Sequence, residues 1–364
     1  MKRRVSGFTL IEVMIALAIV GVVIAAASTF FIGVVRQYKV QTKITESNVE
    51  GIIGLQIFRQ DLESLGFGLP WNGSFAYTER TTASAQLAAL NDAPSNAPRA
   101  IVAIDSSPFG INNGSDYLVI KSTRVGMSDA ARKWTTLRAG PAGPVTRTWG
   151  GVSNAEDLAS GDRVIVFSPG GATSASRVLL TPVGGAAFNN LSAYEPIDPF
   201  QTNIVYGIDT GTLQRPFNRA DYFIADGADY PTPQHCAPNT GVLVKAVVVH
   251  DGDGSTPDLL PLLDCVADMQ VMFGFDSSGD RQVDSWEGTT GGRTADQIRT
   301  QLVEVRVNLL VQQGQRDGSY RYPNPTVYVG DNTIGGVHSI DVSAYRNYRW
   351  KQYSIVVRPR NLAN

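Results

Sequence analysis

The sequence lacks the residue sets on which most enzymes depend. It has three histidines, His235, His250 and His338, and their spacing is not that of a metal site. A phosphate-binding Gly-x-x-x-x-Gly-Lys-Ser/Thr loop, a His-Glu-x-x-His helix and a Gly-x-Ser-x-Gly turn are all missing. We therefore expect no enzyme activity from this chain.

Charged residues are scarce, and neither sign dominates. Lys and Arg total 31 against 33 for Asp and Glu, the net charge is −2, and charged residues make up 18% of the 364 positions. This balance gives no basic field that predicts nucleic-acid binding, and no clear nucleic-acid site is indicated. We interpret the arginines and aromatic residues of 345–358 as an amphipathic edge strand with cation–π pairs, not as a platform for stacking bases.

Proline is absent before Pro70, and a long helix is predicted there. Residues 8–35 are apolar apart from Glu12, and a helix over them is about 42 Å long, ample for a hydrocarbon core of about 30 Å. Apolar residues then recur every three or four positions as far as Leu65. We predict one continuous helix over about 8–65, roughly 85 Å long. The residues that end it are Gly66, Gly68 and Pro70.

Glu12 conflicts physically with the apolar residues around it. Placing an acidic side chain in hydrocarbon costs on the order of 2–3 kcal/mol even on lenient insertion scales. Such a charge persists where another group satisfies it. Glu12 therefore indicates contact with a partner.

Residues 7–12 read Gly-Phe-Thr-Leu-Ile-Glu and follow the basic run 2–4. This N-terminus resembles that of type IV pilin-like proteins with a prepilin-type, or class III, leader. The resemblance implies that a prepilin peptidase cuts between Gly7 and Phe8 and that the new N-terminal Phe8 is methylated. It also implies that Glu12, the fifth mature residue, makes an assembly contact. Many pilins carry a proline in the apolar half, and this chain has none, which puts local melting of the helix during assembly in doubt.

Two plainer interpretations of the N-terminus stay open. A secretory signal peptide cut near 25–27 leaves Glu12 inside its apolar region and an apolar new terminus. A simple membrane anchor is compatible with the pilin interpretation. In both membrane interpretations the basic leader predicts a cytoplasmic N-terminus, with the residues after Val35 on the other side.

The rest of the chain predicts a β-rich head. Its 36 glycines, 19 prolines and 43% hydrophobic residues are typical of a domain with many strands and turns. The clearest signal is the alternation of Val303, Val305 and Val307 with Glu304 and Arg306, which predicts a half-buried strand. Other predicted strands lie within 116–125, 163–167, 242–250 and 353–357.

We therefore predict an α+β, pilin-like fold: a long N-terminal helix, transmembrane and then amphipathic, packed on a large β-rich head. The predicted divisions are a leader over 1–7, a transmembrane or assembly helix over 8–35, an amphipathic helix over 36–66 and a head over 67–364. Within the head, 74–98 is predicted to be a long loop. The proline-rich segment 227–239 either divides two sheet regions or is an insertion into one domain.

The layout of the head is similar to that of long PilW-type pilins. The parts that correspond are a late cysteine and strand (Cys265–Phe275), an Asp-rich turn (276–284) and an Arg- and aromatic-rich segment (345–359). The two cysteines, Cys236 and Cys265, lie outside the cytoplasm in this interpretation. One disulfide is then the best explanation, and two unpaired thiols are the alternative.

The Asp-rich turn has the spacing of a calcium loop. Calcium takes six to eight oxygen ligands, and the positions that offer them are Asp276, Ser278, Asp280, Gln282 through its backbone carbonyl, Asp284 and Glu287. Two features depart from the EF-hand: Arg281 stands where a glycine is needed, and the flanking residues predict strands. A solvated acidic turn is the alternative, and no other cofactor is expected.

These observations predict a minor pilin that primes assembly of the type IV pilus and is incorporated in it, with a role in twitching motility, adhesion or DNA uptake. The expected partners are other minor pilins, the major pilin, the prepilin peptidase, the inner-membrane assembly platform and, before assembly, membrane lipid. The expected location is the inner membrane, with the head in the periplasm, and then the pilus, at its tip. The alternatives are a type II secretion minor pseudopilin and a tip adhesin or ligand-binding subunit.

Overall fold

The computed structural model describes residues 7, 9–71, 75–108, 111, 114–150, 154–169 and 177–362. The leader residues 1–6 and the predicted methylation site Phe8 lie outside these ranges. The helices are α1 (Leu10–Glu63), α2 (Ala85–Ala88) and α3 (Ala295–Gln301).

The strands of the described chain are β1 (Ile101–Ile104), β2 (Tyr117–Ser122), β3 (Trp134–Arg138), β4 (Val145–Thr146), β5 (Arg163–Ser168), β6 (Val178–Leu179), β7 (Ala186–Ala187), β8 (Asn203–Asp209), β9 (Asn218–Ala225), β10 (Gly241–Val248), β11 (Asp258–Phe275), β12 (Ser285–Glu287), β13 (Leu302–Gln313), β14 (Thr326–Asp331), β15 (Gly335–Asp341) and β16 (Arg349–Val357). The predicted α+β class, a long helix followed by a β-rich head, is confirmed.

The helix α1 is unbroken, and only its last part docks on the head. Its buried positions begin at Gly51 and recur at Gly54, Phe58 and Leu62, the spacing of one helix face. Ile52, which fits the predicted apolar rhythm, is instead 63% exposed. The face that meets the head therefore starts with glycines, and the apolar side chains follow.

The main sheet has the strand order β1-β2-β9-β10-β11-β13-β16, with β12 pairing to β11, and every neighbouring pair is antiparallel. One face of this sheet carries the principal core, in which Phe58 and Leu62 of α1 are buried with Tyr222 of β9. The rings of Phe58 and Tyr222 stack with centroids 4.5 Å apart. Leu362 joins the same core and lies against Gly66. Each large apolar side chain buried here stabilises the head by about 1.5–3 kcal/mol.

A second sheet, order β4-β3-β8-β5-β6 with β7 on β5, is formed entirely within 134–209. Its sequence lies between β2 and β9, which are themselves neighbours in the main sheet. The proline-rich segment 227–239 connects β9 to β10, and these are also neighbours in that sheet. The segment therefore joins two neighbouring strands of one sheet.

The hairpin of β14 and β15 covers the outer face of the main sheet. Val329 of β14 is buried there with Ala267 of β11, Leu310 of β13 and Trp350 of β16. On strand β13, Glu304 is only 5% exposed and binds Arg306 and Arg358. The prediction of a half-buried strand was therefore wrong, because the sequence pattern did not show that a later hairpin covers the polar face.

The predicted loop 74–98, described here from residue 75, contributes buried charges to the main sheet. Glu79 and Asp92 bind Lys121 of β2, with Nζ–O distances of 2.8 and 2.5 Å. Arg219 of β9 also binds Glu79, at 2.8 Å. None of these four side chains is more than 6% exposed. Buried ions are tolerated where they pair and hydrogen-bond with each other, so this loop is part of the core.

Candidate functional site

The start of α1 is held by a reciprocal cap between Thr9 and Glu12. The Glu12 carboxylate accepts hydrogen bonds from the Thr9 backbone N–H at 2.8 Å and from the Thr9 hydroxyl at 2.9 Å. The Thr9 hydroxyl in turn accepts from the Glu12 backbone N–H. Glu12 therefore has a local role that the sequence analysis missed. The Thr-x-x-Glu signature before an apolar run was the signal that could have revealed it.

The apolar first half of α1 has no cover from the head. Leu10 is 81% exposed and Phe30 75% exposed, and their side chains have no place in the core of the head. Among the described residues, α1 is the one helix long and apolar enough to cross a membrane. A segment of this kind needs lipid or other apolar helices around it.

The docked part of α1 lies very close to β11. A Cβ atom built on Gly54 would lie 1.7 Å from the backbone oxygen of Leu262, and one on Gly51 would lie 3.0 Å from Leu263 Cδ1. From sequence alone two glycines in a helix have no evident reason, since each costs about 1 kcal/mol relative to alanine. The structure supplies the reason, because Gly54 permits a contact between the two backbones.

A disulfide and an ion pair stabilise the part of the sheet that lies beside α1. Cys236 and Cys265 form a disulfide, which joins the 227–239 segment to β11. Asp61 of α1 binds Lys245 of β10 at 2.6 Å, and it also accepts a hydrogen bond from the Tyr222 hydroxyl. Burial, and then the Asp61 carboxylate, raise the pKa of Tyr222 well above its usual value. The helix that carries Glu12 is thus held firmly on the head.

The Asp-rich loop between β11 and β12 gathers part of the predicted calcium set. Asp276, Asp280 and Asp284 each place an oxygen within 4.8 Å of the others, and the Ser278 hydroxyl donates to Asp276 at 3.1 Å. Arg281 has a φ of 65°, the left-handed conformation that favours glycine. The loop therefore has three converging carboxylates and a strained residue at its sixth position.

The remaining predicted ligands lie differently. The Glu287 carboxylate, on β12, accepts hydrogen bonds from Arg293. Gln282 was predicted to contribute its backbone carbonyl, and its side chain donates to Asp280 at 3.2 Å. A full calcium shell would require Glu287 to exchange Arg293 for the ion, and the three carboxylates alone make a weaker site.

We propose that this loop binds Ca²⁺, and a titration tests it. At a concentration about ten times Kd, Ca²⁺ is expected to stabilise the protein by about 1.4 kcal/mol, with Mg²⁺ giving less. Calorimetric melting of the full chain in detergent measures the shift, which Asp280→Asn should abolish. Asp253→Asn, at an exposed carboxylate in the turn between β10 and β11, should leave it unchanged. Melting curves that do not respond to Ca²⁺ would show that the loop is a solvated turn.

The Arg- and aromatic-rich segment forms the edge strand β16, as predicted. Arg349 lies over the ring of Tyr320 at 4.1 Å, and Lys351 lies over that of Tyr353 at 4.4 Å. Tyr348 and Trp350 pack in the cluster beneath the β14–β15 hairpin. These rings are engaged within the head, in agreement with the cation–π interpretation.

Two family models match parts of the chain. Residues 221–361 match PilW, type IV pilus-assembly protein W, and residues 2–28 match the prokaryotic N-terminal methylation motif. No curated protein and no solved structure matches the chain. The first match includes both cysteines, the Asp-rich loop and β16, and the second includes Gly7 and Glu12. Together they support a PilW-like type IV pilin and confirm the resemblance seen at the N-terminus.

Proposed function

We propose that this PilW-like, type IV pilus-associated chain is a minor pilin that primes assembly of the pilus and is incorporated in it. The observation that carries the proposal is a single carboxylate, Glu12, at the start of a helix half that the head leaves uncovered. In lipid, and equally in a dry bundle of helices, an unpaired carboxylate is penalised. A neighbouring subunit that offers a cation at this depth is therefore favoured over one that does not.

In this proposal the prepilin peptidase cuts after Gly7, and Glu12 binds the methylated Phe8 amine of a neighbouring pilin. The N-terminal motif and the apolar helix fit anchoring in the inner membrane before assembly. We place the head in the periplasm at that stage and at the pilus tip afterwards. The proposed partners are other minor pilins, the major pilin and the inner-membrane assembly platform.

Two substitutions of Glu12 distinguish the role of its charge from its role in capping Thr9. Glu12→Gln keeps an acceptor for Thr9 but removes the charge, whereas Glu12→Val removes both. Both variants are expected to lower the number of pili and the twitching zone by roughly tenfold or more, because the partner cation is left unpaired in an apolar bundle. Pilus counts by electron microscopy and twitching assays measure the effect.

Glu46→Gln is the matched control, because Glu46 is half exposed on the same helix and binds Lys43. It should leave piliation normal. Normal piliation in Glu12→Gln would mean that the cap alone matters, and normal piliation in both Glu12 variants would contradict the priming role. Loss of protein secretion with pili intact would indicate a type II secretion pseudopilin instead.

A further inference from the structure

The head comes close to the point where the apolar segment of α1 ends. A Cβ atom built on Gly314, in the loop after β13, would lie 3.0 Å from Cγ1 of Ile44 and 3.5 Å from its backbone nitrogen. Ile44 follows Val35, the last residue of the apolar segment, by only about 14 Å of helix. The loop after β13 therefore lies beside the first polar turns of the helix.

A cleft of about 330 Å³ separates this loop from the helix. Its helix side runs from Gly33 to Ile44, and its head side is formed by Asp317, Ser319 and Arg349. Because Gly33 belongs to the apolar segment, the cleft begins near the membrane surface. The apolar segment, at about 42 Å, is also longer than a hydrocarbon core of about 30 Å, and tilting accommodates such an excess. Tilting lowers the head further towards the bilayer.

The helix residues along this cleft have the composition of a membrane interface. Arg36 is the first charged residue after Glu12, and Lys39 follows one turn later; both are exposed. Tyr38, which lies between them, is 72% exposed. Tyrosine rings and long basic side chains are favoured at the level of the headgroups, because an apolar part and a polar end are both accommodated there. The headgroups of the leaflet nearest the head therefore surround residues 36–39.

The loop after β13 adds positive charge close to this level. Arg316 and Arg321 are exposed, and among the described residues neither forms an ion pair. Asp317, the acidic residue between them, is bound to Arg349 at 2.9 Å. Arg349 in turn lies over the ring of Tyr320 at 4.1 Å. The head thus neutralises Asp317 internally and leaves Arg316 and Arg321 to an external anion.

The position of these two arginines favours a lipid headgroup as that anion. Guanidinium groups bind phosphate oxygens with two parallel hydrogen bonds. The attraction of an anionic leaflet falls off within a Debye length, about 10 Å at 0.1 M salt, so only charges near the bilayer feel it. Arg59, about 36 Å of helix beyond Val35, lies too far away. Arg316, two residues after the contact of Gly314 with α1, lies near enough.

We propose that, while the chain is anchored in the membrane, the loop 314–321 docks the head on the bilayer by binding the phosphate groups of anionic lipids through Arg316 and Arg321. This contact is additional to insertion of the apolar helix, because it belongs to the head. It rests on the membrane-anchored stage of the proposed function.

Fluorescence quenching in nanodiscs that hold the full chain tests the proposal. The fluorophore is attached to Gly318→Cys, since Gly318 is exposed, nothing lies within 4 Å of a Cβ atom built there, and the two native cysteines are joined. The quencher is a lipid with a nitroxide on its headgroup. Quenching should be strong in nanodiscs that contain phosphatidylglycerol and weak in those of phosphatidylcholine alone. In about 1 M salt, where the Debye length is about 3 Å, the difference should disappear.

Arg316→Gln with Arg321→Gln should lower the ratio of docked to undocked heads about 30-fold, because each basic residue near an anionic surface contributes about fivefold to binding. Arg132→Gln with Arg360→Gln is the matched control. Both of these arginines are exposed and lie with Arg59 near the far end of α1, so quenching should not change. Melting curves should show that both double variants are folded.

Equal quenching in the two kinds of nanodisc, or an equal loss in both double variants, overturns the proposal. Loss of quenching on addition of inorganic phosphate, at the concentration of the lipid phosphate, also overturns it and indicates a site for a soluble anion. A chain that does not enter the nanodisc contradicts the anchored stage and this inference together. A chain that enters with its head undocked contradicts this inference alone.

Discussion

Gly54→Ala is expected to lower the free energy of unfolding of the head by about 2–3 kcal/mol, although alanine is the better helix former by about 1 kcal/mol. The added methyl would lie 1.7 Å from the Leu262 backbone oxygen, and neither backbone can give way without moving α1 off β11. For a head of this size the melting temperature should fall by about 3–5 °C. Thermal unfolding followed by circular dichroism in detergent measures it.

Two other glycines of the same helix serve as controls for the Gly54→Ala substitution. Gly33→Ala should not destabilise the protein, because nothing lies within 4 Å of the new methyl and alanine is the better helix former. The loss of stability in Gly51→Ala should lie between those of Gly33→Ala and Gly54→Ala. Its new methyl would meet the end of the flexible Leu263 side chain, at 3.0 Å. If Gly54→Ala melts at the temperature of the unchanged protein, the helix is not held this close to β11.

Glu79→Gln is expected to destabilise the head by about 3–5 kcal/mol. Glu79 accepts hydrogen bonds from Lys121 and Arg219 and from the Asp92 backbone N–H, all in a site without solvent. The uncharged Gln side chain cannot neutralise Lys121 and Arg219. Its NH₂ group would also face N–H donors instead of an acceptor. Urea unfolding measures the loss, and Glu46→Gln, which removes a half-exposed ion pair, should change stability little.

The Glu79 carboxylate also makes the free energy of unfolding of the head depend on pH. Burial raises the pKa of Glu79, but Lys121 and Arg219 outweigh burial and lower the pKa to about 2, from an ordinary value of 4.5. The contribution of Glu79 is therefore complete above pH 4.5 and is lost as the pH falls towards 2. Glu79→Gln should flatten the stability profile in that interval, and an unchanged profile would show that Glu79 is not ionised in the folded head.

The elements with local signals were predicted from sequence. An uninterrupted apolar run, a proline-free stretch and three helix-ending residues define α1 to within two residues at each end. Runs of β-branched residues define β5, β10 and β13, because strand formation follows from short-range side-chain preferences. The N-terminal motif is equally local, which is why its resemblance to prepilins is confirmed by the family match.

Features that depend on distant residues were not predicted. The sequence of the second sheet is inserted between β2 and β9 of the main sheet, and nothing in 123–217 indicates that the two ends of this insertion become neighbours. The polar face of β13 reads as solvent-exposed because the hairpin that covers it follows later in the chain.

The packing of Leu362 against Gly66 joins the last described residues of the chain to the end of α1. During synthesis and export the assembly helix emerges first, but Phe58 and Leu62 gain their full cover only after β16 and Leu362 have followed. Contacts between such distant parts of a chain form late, and until then the apolar surface is open to aggregation. A subunit interrupted before Leu362 would therefore lack part of the cover over α1 and would keep that apolar surface open to aggregation.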